Sequence, residues 1–69
     1  MKTKYDWSDV PSDVKWIATD GDGCVFGYSN KPKLIQYVWY KKYFNDCVCS
    51  LNIAAYNGFY QDSLEERPK

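Results

Sequence analysis

Apolar and polar positions alternate most clearly between Val14 and Tyr28. Val14, Trp16 and Ala18 alternate with Lys15, Ile17 and Thr19, a period of two that sends one set of side chains to each face of a strand. Asp20-Gly21-Asp22-Gly23 follows, with two glycines able to take positive φ and two short carboxylates able to bond their own backbone, which predicts a hairpin turn. Cys24 to Tyr28 then brings the chain back as the second strand.

The pattern continues beyond the hairpin. Ser29-Asn30-Lys31-Pro32 is a turn signal, and Leu34 to Tyr40 reads as a third strand, with Leu34, Gln36, Val38 and Tyr40 on one face and Ile35, Tyr37 and Trp39 on the other. Both faces are largely apolar, as in a central strand or one whose second face meets a partner. Asn45-Asp46 makes a further turn. Cys47 to Ile53 reads as a fourth strand, with Cys47, Cys49, Leu51 and Ile53 inward and Val48, Ser50 and Asn52 outward. Before the hairpin, Tyr5 to Pro11 is an irregular arm, with a single turn capped by Ser8 and with Trp7 and Val10 as its anchors on the sheet. After Asn57-Gly58, the stretch from Asp62 to Arg67 predicts a short helical turn stopped by Pro68. The expected fold is mainly β: one domain over 1–69, a small antiparallel meander of about four strands with an N-terminal arm and a short C-terminal helical turn.

Length sharpens this picture. A chain of 69 residues buries only about 60% of the surface its unfolded form exposes, so its core needs a supplement. Cys24, Cys47 and Cys49, with no histidine, fall one short of a tetrahedral thiolate site, and an opening of Met-Lys-Thr-Lys followed by Tyr-Asp-Trp is no export signal, so free thiols in a reducing cytoplasm are expected. What remains is ring mass. Aromatic residues make up 19% of the chain, and each ring can bury roughly 150 to 250 Å². Self-association into a homo-oligomer is the other remedy for a thin core.

Formal net charge is zero, so no global field draws in nucleic acid or an anionic membrane. The lysines are nevertheless clustered. Tyr37-Val38-Trp39-Tyr40-Lys41-Lys42-Tyr43-Phe44 interleaves rings with cations, and Tyr37, Trp39, Tyr40, Lys41, Lys42 and Tyr43 are the candidate ligand- or partner-binding residues. A ring-lined pocket with one or two lysines suits a small nucleotide, and an exposed aromatic face suits a protein. Asp20-Gly21-Asp22-Gly23 lacks the twelfth-position glutamate and flanking helices of a calcium loop, so a turn is expected there and no metal or other cofactor. With histidine absent and no serine or cysteine beside an activating base, the sequence assembles no catalytic site.

Tyr5, Trp7, Ser8, Val10, Pro11, Val14, Trp16 to Asp20, Asp22 and Gly23, then Gly27-Tyr28, Lys31-Pro32, Trp39-Tyr40 and the closing Asp62-Ser63-Leu64-Glu65-Glu66-Arg67-Pro68, resemble a group of small uncharacterised bacteriophage proteins. The similarity spans most of the chain and is most distinctive at its ends. Many such proteins place a tryptophan before the terminal Asp-Ser-Leu where this chain has Tyr60, a change that keeps an aromatic anchor. The resemblance implies a phage accessory protein in the host cytoplasm, acting against a host defence protein or its small nucleotide signal, and assigns no catalytic residue. The alternatives are a single-stranded nucleic-acid binder using Lys31, Lys33, Lys41 and Lys42, and a minor virion or assembly protein.

Overall fold

A computed structural model describes residues 3–69. The chain is mainly β. Strands β1 (Trp16–Thr19), β2 (Val25–Tyr28), β5 (Val48–Ser50) and β6 (Glu65–Glu66) form one antiparallel sheet in the order β5-β2-β1-β6, and β3 (Lys33–Ile35) with β4 (Val38–Tyr40) forms a separate two-stranded hairpin.

The β1–β2 hairpin forms where the alternation places it, with Trp16 opposite Tyr28 and Thr19 opposite Val25. Its loop is closed by the Asp20 amide on the Cys24 carbonyl at 2.9 Å and the Gly23 amide on the Asp20 carbonyl at 2.9 Å. Of the two loop glycines only Gly23 uses the freedom, at φ 92.

Both faces of β1 are covered, and this organises the molecule. On one face Ile17 and Val25 pack with Tyr5, Val10 and Val14, flanked by Trp7, Leu51, Ile53 and Tyr56. The arm is therefore anchored by Trp7 and Val10 as expected, and by Tyr5 in addition. Gly27 lies under this layer, and a Cβ there would stand 2.7 Å from Val14 Cγ1, so the packing needs a glycine. On the other face Ala18 and Tyr28 meet Trp39 of the β3–β4 hairpin, with Trp16, Phe26, Leu34 and Leu64 around them.

Four expectations are corrected. The apolar run from Leu34 to Tyr40 is two short strands, because the chain reverses at Gln36, which takes φ 55. The reversal pairs Leu34 with Trp39, so these two residues share a face and both reach the core. The fourth strand contracts to Val48–Ser50 at the sheet edge, where no layer covers it, so Cys47 and Cys49 are exposed instead of inward. Leu51 and Ile53, beyond its end, do pack on the core as expected.

At the C-terminus the helical turn lies earlier, at Tyr60–Asp62. Ser63 ends it by turning its hydroxyl back to the Tyr60 carbonyl at 2.7 Å, after which the chain extends as β6 and pairs with β1. In the arm, the capping group is the Asp6 carboxylate, which accepts from the Ser8 amide at 3.0 Å and the Ser8 hydroxyl at 2.6 Å, and not Ser8 itself. These bonds hold the Asp6 carboxyl below its ordinary range.

Candidate functional site

The β3–β4 hairpin is fastened to the sheet by four bonds around Asp20 and Trp39. Asp20 Oδ1 accepts the Trp39 amide at 2.9 Å, the Tyr28 hydroxyl donates to the Trp39 carbonyl at 3.1 Å, and Trp39 Nε1 donates to the Tyr60 carbonyl at 3.1 Å. The Gly21 amide holds the hairpin tip through the Tyr37 carbonyl at 2.8 Å. Docking in this way leaves an open cleft of about 330 Å³ between the hairpin and β2 and β5.

Buried Asp20, Tyr28 and Trp39 form the floor of the cleft. Half-buried Phe26 and Val38 make its walls, and exposed Tyr40, Lys41 and Val48 its rim. Asp20 is thus a carboxylate set among rings. Burial pushes its pKa up, only partly offset by the Trp39 amide, and the nearby Asp22 adds to the rise. Tyr28 is raised chiefly by burial and then by the charge of Asp20, which keeps its hydroxyl a donor at neutral pH.

Beyond the rim, the loop from Lys41 to Cys47 carries exposed rings. Tyr43 is 58% exposed and Phe44 94%. The loop is shaped by buried Asp46, whose Oδ2 accepts the Tyr43 amide at 3.1 Å and whose Oδ1 accepts Asn30 Nδ2 at 2.8 Å. Lys41 Nζ donates to the Phe44 carbonyl at 2.8 Å and stands 5.5 Å from the Phe44 ring centre, while Lys42 Nζ stands 5.7 Å from that of Tyr43.

Strand β5 borders the same surface with a free edge. Cys49 opposes Gly27, with the Ser29 amide bonded to the Cys47 carbonyl and the Leu51 amide to the Val25 carbonyl on either side. Alternation along an antiparallel ladder then turns the backbone groups of Val48 and Ser50 outward, with no strand paired to them among the described residues.

The six candidate binding residues therefore divide. Trp39, Tyr40 and Lys41 come together at the cleft, but Trp39 is buried in its floor and is not a free strand face. Lys42 and Tyr43 lie on the neighbouring loop. Tyr37 is separate from the cleft walls, exposed at the hairpin tip with its ring 6.1 Å from that of Tyr60. Sequence reasoning missed Asp20, Phe26, Tyr28, Val38 and Val48 as site residues. The signal available was an acidic residue directly after an apolar strand, which also fits a plain turn.

Among the described residues no group of three or more His, Cys, Asp or Glu is placed to hold a metal ion, and no helix is long and apolar enough to cross a membrane. Comparison with protein-family models, curated proteins and solved structures finds no match.

Proposed function

We infer that this chain is a non-catalytic binding protein that acts by occupying a host target, in the manner of a phage accessory protein directed at a host defence. The observation that carries this reading is the set of exposed apolar residues between Tyr40 and Val48: three rings, Tyr40, Tyr43 and Phe44, in the segment that leads to edge strand β5. A 69-residue chain with so thin a core gains stability from buried rings, so rings left in water fit a surface kept for a partner. A partner strand bonded to Val48 and Ser50 with its side chains over Tyr40 and Phe44 would use both features, backbone bonds for affinity and rings for selection. Occupancy and not turnover is supported by the absence of histidine and by Asp20 standing as the one acidic side chain in the cleft.

The test is affinity capture from infected host lysate with the tagged chain and with a Tyr40→Ser, Tyr43→Ser, Phe44→Ser variant, analysing the bound material for proteins and nucleotides. The expected result is a host protein retained by the unmodified chain and lost by the variant. Equal retention by both, or a nucleotide as the sole specific cargo, contradicts a protein target at this surface. Retention of nucleic acid that falls steeply with salt would favour the single-strand reading.

A further inference from the structure

We propose that the cleft floored by Asp20 receives a basic side chain, an arginine or lysine, from a polypeptide partner. The inference rests on the binding reading above and names the group recognised.

One oxygen of the Asp20 carboxylate is used inside the fold, accepting the Trp39 amide at 2.9 Å. No described side chain or amide donates to the other. Yet no fully enclosed side-chain polar atom among the described residues lacks a hydrogen-bond partner. The second oxygen of this buried residue is therefore not fully enclosed, and Asp20 lines the cleft.

The cleft that Asp20 lines is also lined by Phe26, Tyr28, Trp39 and Tyr40. A carboxylate walled by aromatic rings complements an organic cation twice over, through charge-assisted hydrogen bonds to the oxygen and through attraction between the charge and the ring faces. Among the described residues the one cation lining the cleft is Lys41, and its ammonium is tied to the Phe44 carbonyl at 2.8 Å. The negative floor also discriminates. It opposes a phosphate group, so a nucleotide would have to overcome the same charge that attracts a guanidinium. A volume of about 330 Å³ lies at the small end of ligand pockets and accommodates one arginine or lysine side chain.

The titratable groups lining the site are Asp20, Tyr28, Tyr40 and Lys41, with Asp22 close enough to act on Asp20. Tyr28, its pKa raised by burial, stays protonated through the acid and neutral range. Cation binding therefore weakens as pH falls through the raised carboxylate pKa of Asp20.

The experiment is a titration of the full chain, followed by its Trp39 indole resonance, with a capped glycine–arginine–glycine peptide, its citrulline counterpart, free agmatine and guanosine monophosphate. The arginine peptide is expected to bind saturably and at least about ten-fold more tightly than the neutral citrulline peptide, and to lose that advantage in Asp20→Asn, which retains an acceptor for the Trp39 amide. Tyr40→Ala, at an exposed rim position, is expected to weaken the arginine peptide several-fold with the unfolding midpoint unchanged. Equal affinity for the arginine and citrulline peptides, no saturable binding of either, or a preference for guanosine monophosphate overturns the proposal. Agmatine binding more tightly than the peptide would also overturn it, by showing a free small cation to be the ligand. If the Asp20→Asn chain still captures the host protein that the triple ring variant loses, the cation site is refuted and the binding surface stands.

Discussion

Thr19 and Ser63, 44 positions apart, are joined by the Thr19 amide, which donates to Ser63 Oγ at 2.9 Å; that hydroxyl, 2.7 Å from the Tyr60 carbonyl, also lies 3.1 Å from the Thr19 carbonyl. The Thr19 hydroxyl in turn meets the Tyr5 hydroxyl at 2.7 Å and accepts the Tyr56 amide at 3.2 Å. Arm, first strand and tail are thus joined at one buried point. Neighbouring contacts close the same seam. Glu65 accepts Trp7 Nε1 at 2.8 Å, and Arg67 donates to the Val14 carbonyl at 2.8 Å with its guanidinium 4.9 Å from the Trp7 ring centre.

Removing the Ser63 hydroxyl leaves a buried amide on Thr19 without a partner. Ser63 is 0% exposed, so water cannot substitute, and Ser63→Ala is expected to cost about 2 to 3 kcal/mol. For a domain of this size that is most of the stability. Urea unfolding measures it, and a loss below about 0.5 kcal/mol would mean the seam relaxes around the gap.

The turn of the β3–β4 hairpin stores backbone strain at Gln36, a residue with a side chain held at φ 55. Replacement by glycine removes the steric cost, and replacement by valine increases it. Gln36→Gly is therefore expected to be more stable than Gln36→Val by about 1 to 2 kcal/mol, measured by thermal or urea unfolding. Equal stabilities would show that the turn adjusts to a different geometry.

Asp20 ties stability to pH with a definite sign. Because burial raises its pKa in the folded chain, the folded state holds this proton more tightly than the unfolded state does. Its contribution is greatest below the unfolded value and is lost as pH rises through the folded one. Asp22 and Asp6 have lowered values and act in the opposite direction, but both remain in an Asp20→Asn chain. Compared with the unmodified chain, Asp20→Asn should therefore gain in relative stability from about pH 4 to pH 7. A relative stability that falls over this range would mean that the folded state stabilises the Asp20 charge.

These sites show which parts of the structure local pattern carries. The first hairpin was legible because its period-two alternation and its Asp-Gly turn agree, and the arm was legible because Trp7 and Val10 have nothing else to pack on. The third strand was misread because apolar content on both faces of Leu34 to Tyr40 looks the same whether the chain runs straight or reverses, and glutamine gives no sign of positive φ. Cys47 and Cys49 were placed inward because alternation gives a phase and not a depth. Burial at β5 depends on a covering layer that a sequence pattern does not encode. Within the candidate site, the rings and lysines near residue 40 were visible. The carboxylate beneath them was not, since Asp20 reaches Trp39 only through the docking of one hairpin on another.

Ser63, Leu64, Glu65 and Arg67 build the seam and the core, so those positions serve the fold. The segment from Tyr40 to Val48 carries the exposed rings and the open edge.

The separation of folding from binding rests on the claim that Tyr40, Tyr43 and Phe44 hold a partner and not the monomer. The direct measurement is the unfolding free energy of the Tyr40→Ser, Tyr43→Ser, Phe44→Ser chain beside that of the unmodified chain. The predicted difference is within about 1 kcal/mol, as for exposed side chains. A loss of about 3 kcal/mol or more would show that these rings are needed to hold the fold together, and would contradict the claim.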